Sequence, residues 1–99
     1  MAIKNVLVVD DSPTEIHLLS EMLKKNGFSV TTASNGEEAI AKSKSDKPDL
    51  ILMDVVMPGL NGFQATRAIS RDPDTRTIPI ILCTSKSQET DKIRGMRQG

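Results

Sequence analysis

The 99 residues, carrying 13 basic and 13 acidic side chains and a formal net charge of zero, describe one small domain. A chain of this size buries roughly 60–65% of its unfolded surface. Balanced charge excludes a broad attraction to nucleic acid or to an anionic membrane, and two phenylalanines with no tryptophan or tyrosine leave little to stack on exposed bases.

Apolar runs alternate with amphipathic stretches along the whole chain, and no repeat or low-complexity linker interrupts them. A first strand is expected at Asn5–Val9, where Val6-Leu7-Val8-Val9 runs into Asp10-Asp11. Ser12-Pro13-Thr14-Glu15 has the form of a capping box with proline at the first helical position. The helix that follows places Ile16, Leu19 and Leu23 on one face with Leu18 and Met22 beside them, and Asn26-Gly27 ends it, since glycine accepts a left-handed cap at least cost. Phe28–Thr32 reads as a short second strand. Asn35-Gly36-Glu37-Glu38 caps a second helix with a thin apolar stripe of Ala39, Ile40 and Ala41, and Pro48 closes the connection to a third strand at Asp49–Met53.

Met57-Pro58-Gly59-Leu60 forms a turn, after which Asn61-Gly62-Phe63-Gln64 caps a third helix with Phe63, Ala65, Ala68 and Ile69 facing inward. A polar connection, Arg71–Pro79, leads to a fourth strand at Ile80–Cys83, which delivers Thr84 and Ser85 to its carboxyl end. A fourth helix is expected from Ser85 or Ser87 toward Gly99, with Ile93 and Met96 inward and Gly95 weakening it. The lone Cys83 reads as a packed core residue, and one unpaired cysteine fits a reducing compartment. The apolar part of the amino terminus is too short for a signal peptide and no run approaches spanning length, so the expectation is a soluble, cytoplasmic chain.

Strands buried on both faces pair in parallel, and their carboxyl ends then share one edge of the sheet. Helices on both faces give a doubly wound α/β fold, in which ligands bind at that edge where the strand order reverses. Asp10, Asp11 and Asp54 all stand where an apolar run stops, so three carboxylates are expected in one crevice. At about 5 Å and an effective dielectric near 20, each pair repels by about 3 kcal/mol. Such a cluster persists if a cation offsets it or if some carboxyls stay protonated, and hard oxygen ligands without nearby cysteine or histidine favour Mg²⁺. Plainer readings exist for each residue. Asp10 and Asp11 could serve a helix dipole, although one carboxylate would suffice and Ser12 already holds the capping position. Thr84 alone reads equally well as a satisfied strand-end hydroxyl, Lys86 as a solvated helix-start residue, and His17 as a partly exposed structural residue with no second ligand at metal spacing.

Taken together, Val8-Val9-Asp10-Asp11-Ser12, Leu52-Met53-Asp54-Val55-Val56-Met57-Pro58 followed by Gly62, and Cys83-Thr84-Ser85 resemble the receiver domain of bacterial two-component response regulators. The resemblance implies a flavodoxin-like sheet of order 2-1-3-4-5. It also implies Asp54 as phosphoacceptor from a sensor histidine kinase or phosphotransfer protein, with Asp10, Asp11, Asp54 and the backbone carbonyl of Val56 as Mg²⁺ ligands. Thr84 would be the switch hydroxyl that donates to a phosphoryl oxygen and shifts the conformational equilibrium. The segments Ser12–Glu15, Met57–Arg67 and Ser87–Lys92 are similar to those of stand-alone receivers in twitching-motility (type IV pilus) systems.

Receivers of this kind continue with a fifth strand, a lysine followed by proline, and a fifth helix. The expectation from residues 1–99 is therefore a single receiver domain lacking those elements, prone to self-association through an exposed fourth strand. Two other readings are a Mg²⁺-dependent phosphohydrolase with Asp54 as nucleophile, disfavoured by Val56 where many such enzymes carry a second acid, and a docking module that never carries phosphate.

Overall fold

Each of the four apolar runs becomes a strand, and in the computed structural model, whose described residues are 3–55 and 61–83, these strands lie parallel in one sheet. In chain order the elements are β1 (Asn5–Val9), α1 (Pro13–Lys25), β2 (Ser29–Ala33), α2 (Gly36–Asp46), β3 (Leu50–Asp54), α3 (Gly62–Arg71) and β4 (Ile80–Cys83). The strand order is β2-β1-β3-β4, so the chain steps outward from β1 on one side and then returns past it on the other. That reversal puts a crevice at the carboxyl ends of β1 and β3.

The core follows from the two-residue period of the strands. Leu7 and Val9 of β1 and Ile51 and Met53 of β3 share one face, where they meet Ala39 of α2 and Ala65 and Ile69 of α3. Val6 and Val8 point to the opposite face and are equally buried. Complete burial of such side chains contributes about 1.5–3 kcal/mol each. Thr75 is buried in the connection after α3, where its Oγ1 donates to the carbonyl of Ile69 at 2.7 Å.

Local chemistry sets the element ends. The Ser12 side chain accepts from the Glu15 N–H at 3.4 Å, and Pro13 occupies the first turn of α1. Asn35 accepts from Glu38 N–H at 2.8 Å. The capping box at α3 is complete, with Gln64 N–H donating to Asn61 Oδ1 at 2.9 Å and Asn61 N–H donating to Gln64 Oε1 at 3.0 Å. Gly27 closes α1 at φ 90°, a left-handed conformation that glycine adopts without steric cost.

Several expectations are corrected. β2 runs one residue later than Phe28–Thr32, and β3 is Leu50–Asp54 rather than Asp49–Met53. Phe63, expected inward, is 58% exposed and Ala68 is exposed too, because α3 turns only the Ala65–Ile69 stripe and Gly62 toward the sheet. On α1, Leu18 and Met22 face outward while Ile16, Leu19 and Leu23 are half-buried. Ala41 of α2 is exposed, and Ser43 takes the buried position, its hydroxyl donating to the carbonyl of Ile40 at 2.7 Å. Cys83 is half-buried rather than packed in the core. Ile81 and Leu82 beside it are 52% and 42% exposed, and among the described residues no strand pairs with the outer side of β4. The turn at Met57–Leu60 and the fourth helix lie outside the described residues.

Candidate functional site

β1 and β3 are neighbours in register, Val9 opposite Met53, so the next residues of the two strands emerge side by side. Those residues are Asp10 and Asp54, each only 2% exposed, and Asp11 stands half-buried beside them. Carboxylate oxygens from all three lie within 4.8 Å of one another.

Main-chain bonds hold this arrangement. The Asp10 N–H donates to the carbonyl of Ala33 at 3.1 Å, which extends the β1–β2 ladder past the last residue of β1. Asp10 Oδ1 accepts from the Ser12 N–H at 2.9 Å, so the same carboxylate turns the chain toward α1. On the other strand, Asp54 stands opposite Cys83, and the Val55 N–H donates to the Cys83 carbonyl at 2.9 Å. The acidic side chains are therefore carried on backbone paired to neighbouring strands on both sides of the crevice.

Three carboxylates at this separation repel by about 3 kcal/mol per pair at an effective dielectric of 20, and burial raises the cost. A small divalent cation offsets it. The donors are hard oxygens, the ligand type that Mg²⁺ prefers. The residues present fit that ion.

The structure thus brings together Asp10, Asp11 and Asp54 as the sequence suggested. Val56, Thr84 and Lys86 lie outside the described residues. His17 is exposed on α1. A cavity of about 430 Å³ lies away from the acidic crevice, among Ile3, Pro48, Asp49, Ile78 and Pro79 near the amino ends of β3 and β4, and none of the three aspartates lines it. At that end Asp49 accepts from the N–H groups of Asn5 and Lys4, each at 2.9 Å, and these bonds hold its carboxyl below the ordinary value of 3.8. Sequence reading passed over Asp49 as a mere strand start. No local signal marks it, because the N–H groups it accepts from lie 45 and 44 residues away in the chain.

Known proteins are similar to this chain in sequence and in fold. Residues 6–99 match the family model described as the response regulator receiver domain. The chain is 55% identical over 94 residues to Protein PilH of Pseudomonas aeruginosa, a match covering 95% of this chain and 78% of that protein. It is 42% identical to the response regulator PleD of Caulobacter vibrioides over 95% of this chain but only 21% of PleD. Among solved structures, chemotaxis protein CheY4 of Vibrio cholerae superposes with a TM-score of 0.80 at 34% identity, covering 99% of this chain and 82% of CheY4. The receiver domain of a sensor histidine kinase from Pseudomonas aeruginosa also reaches 0.80, at 32% identity over 99% of this chain and 80% of its own, and that structure has a magnesium ion coordinated in its active site cleft. With a receiver sheet order, three acidic groups at its switch point and a family match over nearly all of its length, this chain belongs to the response regulator receiver domain family.

Proposed function

We propose that this chain is a phosphoacceptor module: Asp54 takes a phosphoryl group from a sensor histidine kinase or phosphotransfer protein, in a Mg²⁺-dependent step. The observation that carries this reading is the convergence of Asp10, Asp11 and Asp54 within 4.8 Å at the carboxyl edge of the sheet.

An oxygen of the Asp54 carboxylate attacks phosphorus in line with the phosphorus–nitrogen bond of a phosphohistidine. That bond breaks and its electron pair stays on the leaving nitrogen, so a phosphohistidine protonated on its other ring nitrogen departs as neutral imidazole. Asp10, Asp11 and Asp54 would hold Mg²⁺, with the carbonyl of Val56 as the further ligand that the family resemblance implies. The bound ion supplies screening of the carboxylate and phosphoryl charges, without which two anions do not approach. Burial of Asp54 limits competing water at the nucleophile. The family resemblance implies Thr84 as the donor to a phosphoryl oxygen, which would couple phosphorylation to a population shift.

The 55% identity with PilH and the loop segments similar to twitching-motility receivers support a role in twitching-motility signalling, in the cytoplasm. Receiver domains are signalling modules rather than enzymes in the ordinary sense, so turnover is expected to stop at a single phosphoryl transfer. The exposed Ile81 and Leu82 on β4 support self-association of two copies along that strand.

Incubation with a small phosphodonor tests the reading. Mg²⁺-dependent label that is stable in acid, labile in base and absent from Asp54→Asn is the expected result. Label that persists in Asp54→Asn, or steady turnover of a phosphomonoester, contradicts it.

A further inference from the structure

Two glycines among the described residues are glycine for opposite reasons, and the contrast bears on the acidic site. Gly27 needs its left-handed backbone at φ 90°, and a Cβ built there meets nothing within 4 Å. Gly62, the first residue of α3, has no such angle. A Cβ on Gly62 would instead lie 2.2 Å from the carbonyl oxygen of Asp54, 2.6 Å from Cα of Val55 and 2.9 Å from the carbonyl carbon of Asp54. Distances below 3.0 Å are essentially never seen for real Cβ atoms. All three contacts are main chain, so no rotation of a side chain relieves them.

Neither partner has room to retreat. The start of α3 is locked by the reciprocal Asn61 and Gln64 bonds, and its inner face is anchored by the fully buried Ala65 and Ile69. The 54–55 peptide is held from the other side by Val55 N–H donating to Cys83 at 2.9 Å. The segment that carries the Asp54 carboxylate is thus pressed between β4 and the first residue of α3.

From this juxtaposition the structure assigns Gly62 as a positioning residue for Asp54: its missing side chain lets α3 act as a backstop that fixes the carboxylate relative to Asp10 and Asp11. The inference deepens the phosphoacceptor reading and rests on it for the chemistry, although metal binding tests it independently. A Cβ at this position displaces the Asp54 backbone, and a misplacement of about 1 Å in a reacting group costs about 100-fold in rate. Groups that orient metal ligands are worth about 10- to 100-fold in metal affinity.

The test compares Gly62→Ala with Gly27→Ala in the full chain, each in the parent and in an Asp54→Asn background. Mg²⁺ binding is read by calorimetry and label is read from a small phosphodonor. Gly62→Ala is expected to weaken Mg²⁺ binding about 10-fold or more and to slow labelling about 100-fold. Most of the Mg²⁺ loss should vanish when Asp54 is already asparagine, because residues acting through one another are not additive. Gly27→Ala should lower the melting temperature and leave Mg²⁺ binding and labelling unchanged. Parent-like Mg²⁺ binding in Gly62→Ala, or an equal loss in both backgrounds, overturns the assignment. If Gly62→Ala does not fold unaided, the same titrations are run in trimethylamine N-oxide, which favours the compact state without opening space at residue 62. Absence of label from a parent chain that binds Mg²⁺ counts against the phosphoacceptor reading alone, and the Mg²⁺ comparison then decides the role of Gly62.

Discussion

Asp10 and Asp54 are almost completely buried and share their crevice with Asp11, an arrangement that costs free energy without a counter-ion. Mg²⁺ should therefore stabilise the native chain, by about 2.7 kcal/mol at a concentration 100 times its dissociation constant. Thermal melts with and without Mg²⁺ check this, and Asp11→Asn should lose most of the stabilisation while remaining folded. The three aspartates were legible because each follows a hydrophobic run, and a parallel sheet converts the end of a run into a place in space. Phe63 was misread for the opposite reason. An apolar residue in the first turn of a helix is placed by the helix's rotation about its axis, which is set by where Gly62 touches β3 and not by local pattern. Gly62 was among the residues that carry the family resemblance, but its contact with the Asp54 backbone was invisible in sequence, where a glycine after Asn61 reads as ordinary capping chemistry.

Secondary structure was largely readable because capping residues and hydrophobic period agreed at most boundaries. Ser12, Asn35 and Asn61 each cap the helix they precede. Asn61→Ala should cost about 1 kcal/mol in chemical denaturation, since it removes the side-chain acceptor of the box. Less readable was the exit of α2, where Lys47 adopts φ 46° before the buried Pro48. The residue before proline is pushed out of the α region, and a lysine in the left-handed region carries strain that glycine would not. Lys47→Gly should for that reason stabilise the fold, relieving about 1–2 kcal/mol of left-handed strain against about 0.5–1 kcal/mol of added glycine entropy, as read from its denaturation midpoint.

Strand pairing also has an acidic dependence. The Asn5 and Lys4 N–H groups hold the Asp49 carboxyl below 3.8, and the Lys44 ammonium at 2.8 Å, with the N–H of Asp74, does the same for Asp72. Depressed carboxyls contribute stability that is fully present above the unfolded value near 3.8 and is lost as pH falls through the lower folded values. Melting temperature should accordingly fall on acidification below pH 3.8, and less steeply in Asp49→Asn.

At the scale of the whole molecule, the sheet has one well-covered centre and one lean side. Val6, Leu7, Val8 and Val9 of β1 and Ile51, Met53 and Asp54 of β3 are buried, whereas β4 shows Ile81 and Leu82 to solvent. Among the described residues β4 is an edge strand, and edge strands with apolar side chains associate, so Ile81→Lys should reduce any concentration-dependent association seen in sedimentation. The sheet order could be anticipated only through the family resemblance, because no local signal says on which side of β1 the third strand will lie. Once β3 is next to β1, the acidic crevice follows from geometry, and the functional account depends on it. The most direct test is a Mg²⁺ titration followed by amide resonances, well suited to a chain with no tryptophan or tyrosine to report binding. Saturable shifts centred on Asp10, Asp11, Asp54 and Val55, absent from Asp11→Asn, are the expected result. Shifts scattered over other acidic residues, or a response unchanged by Asp11→Asn, would contradict it.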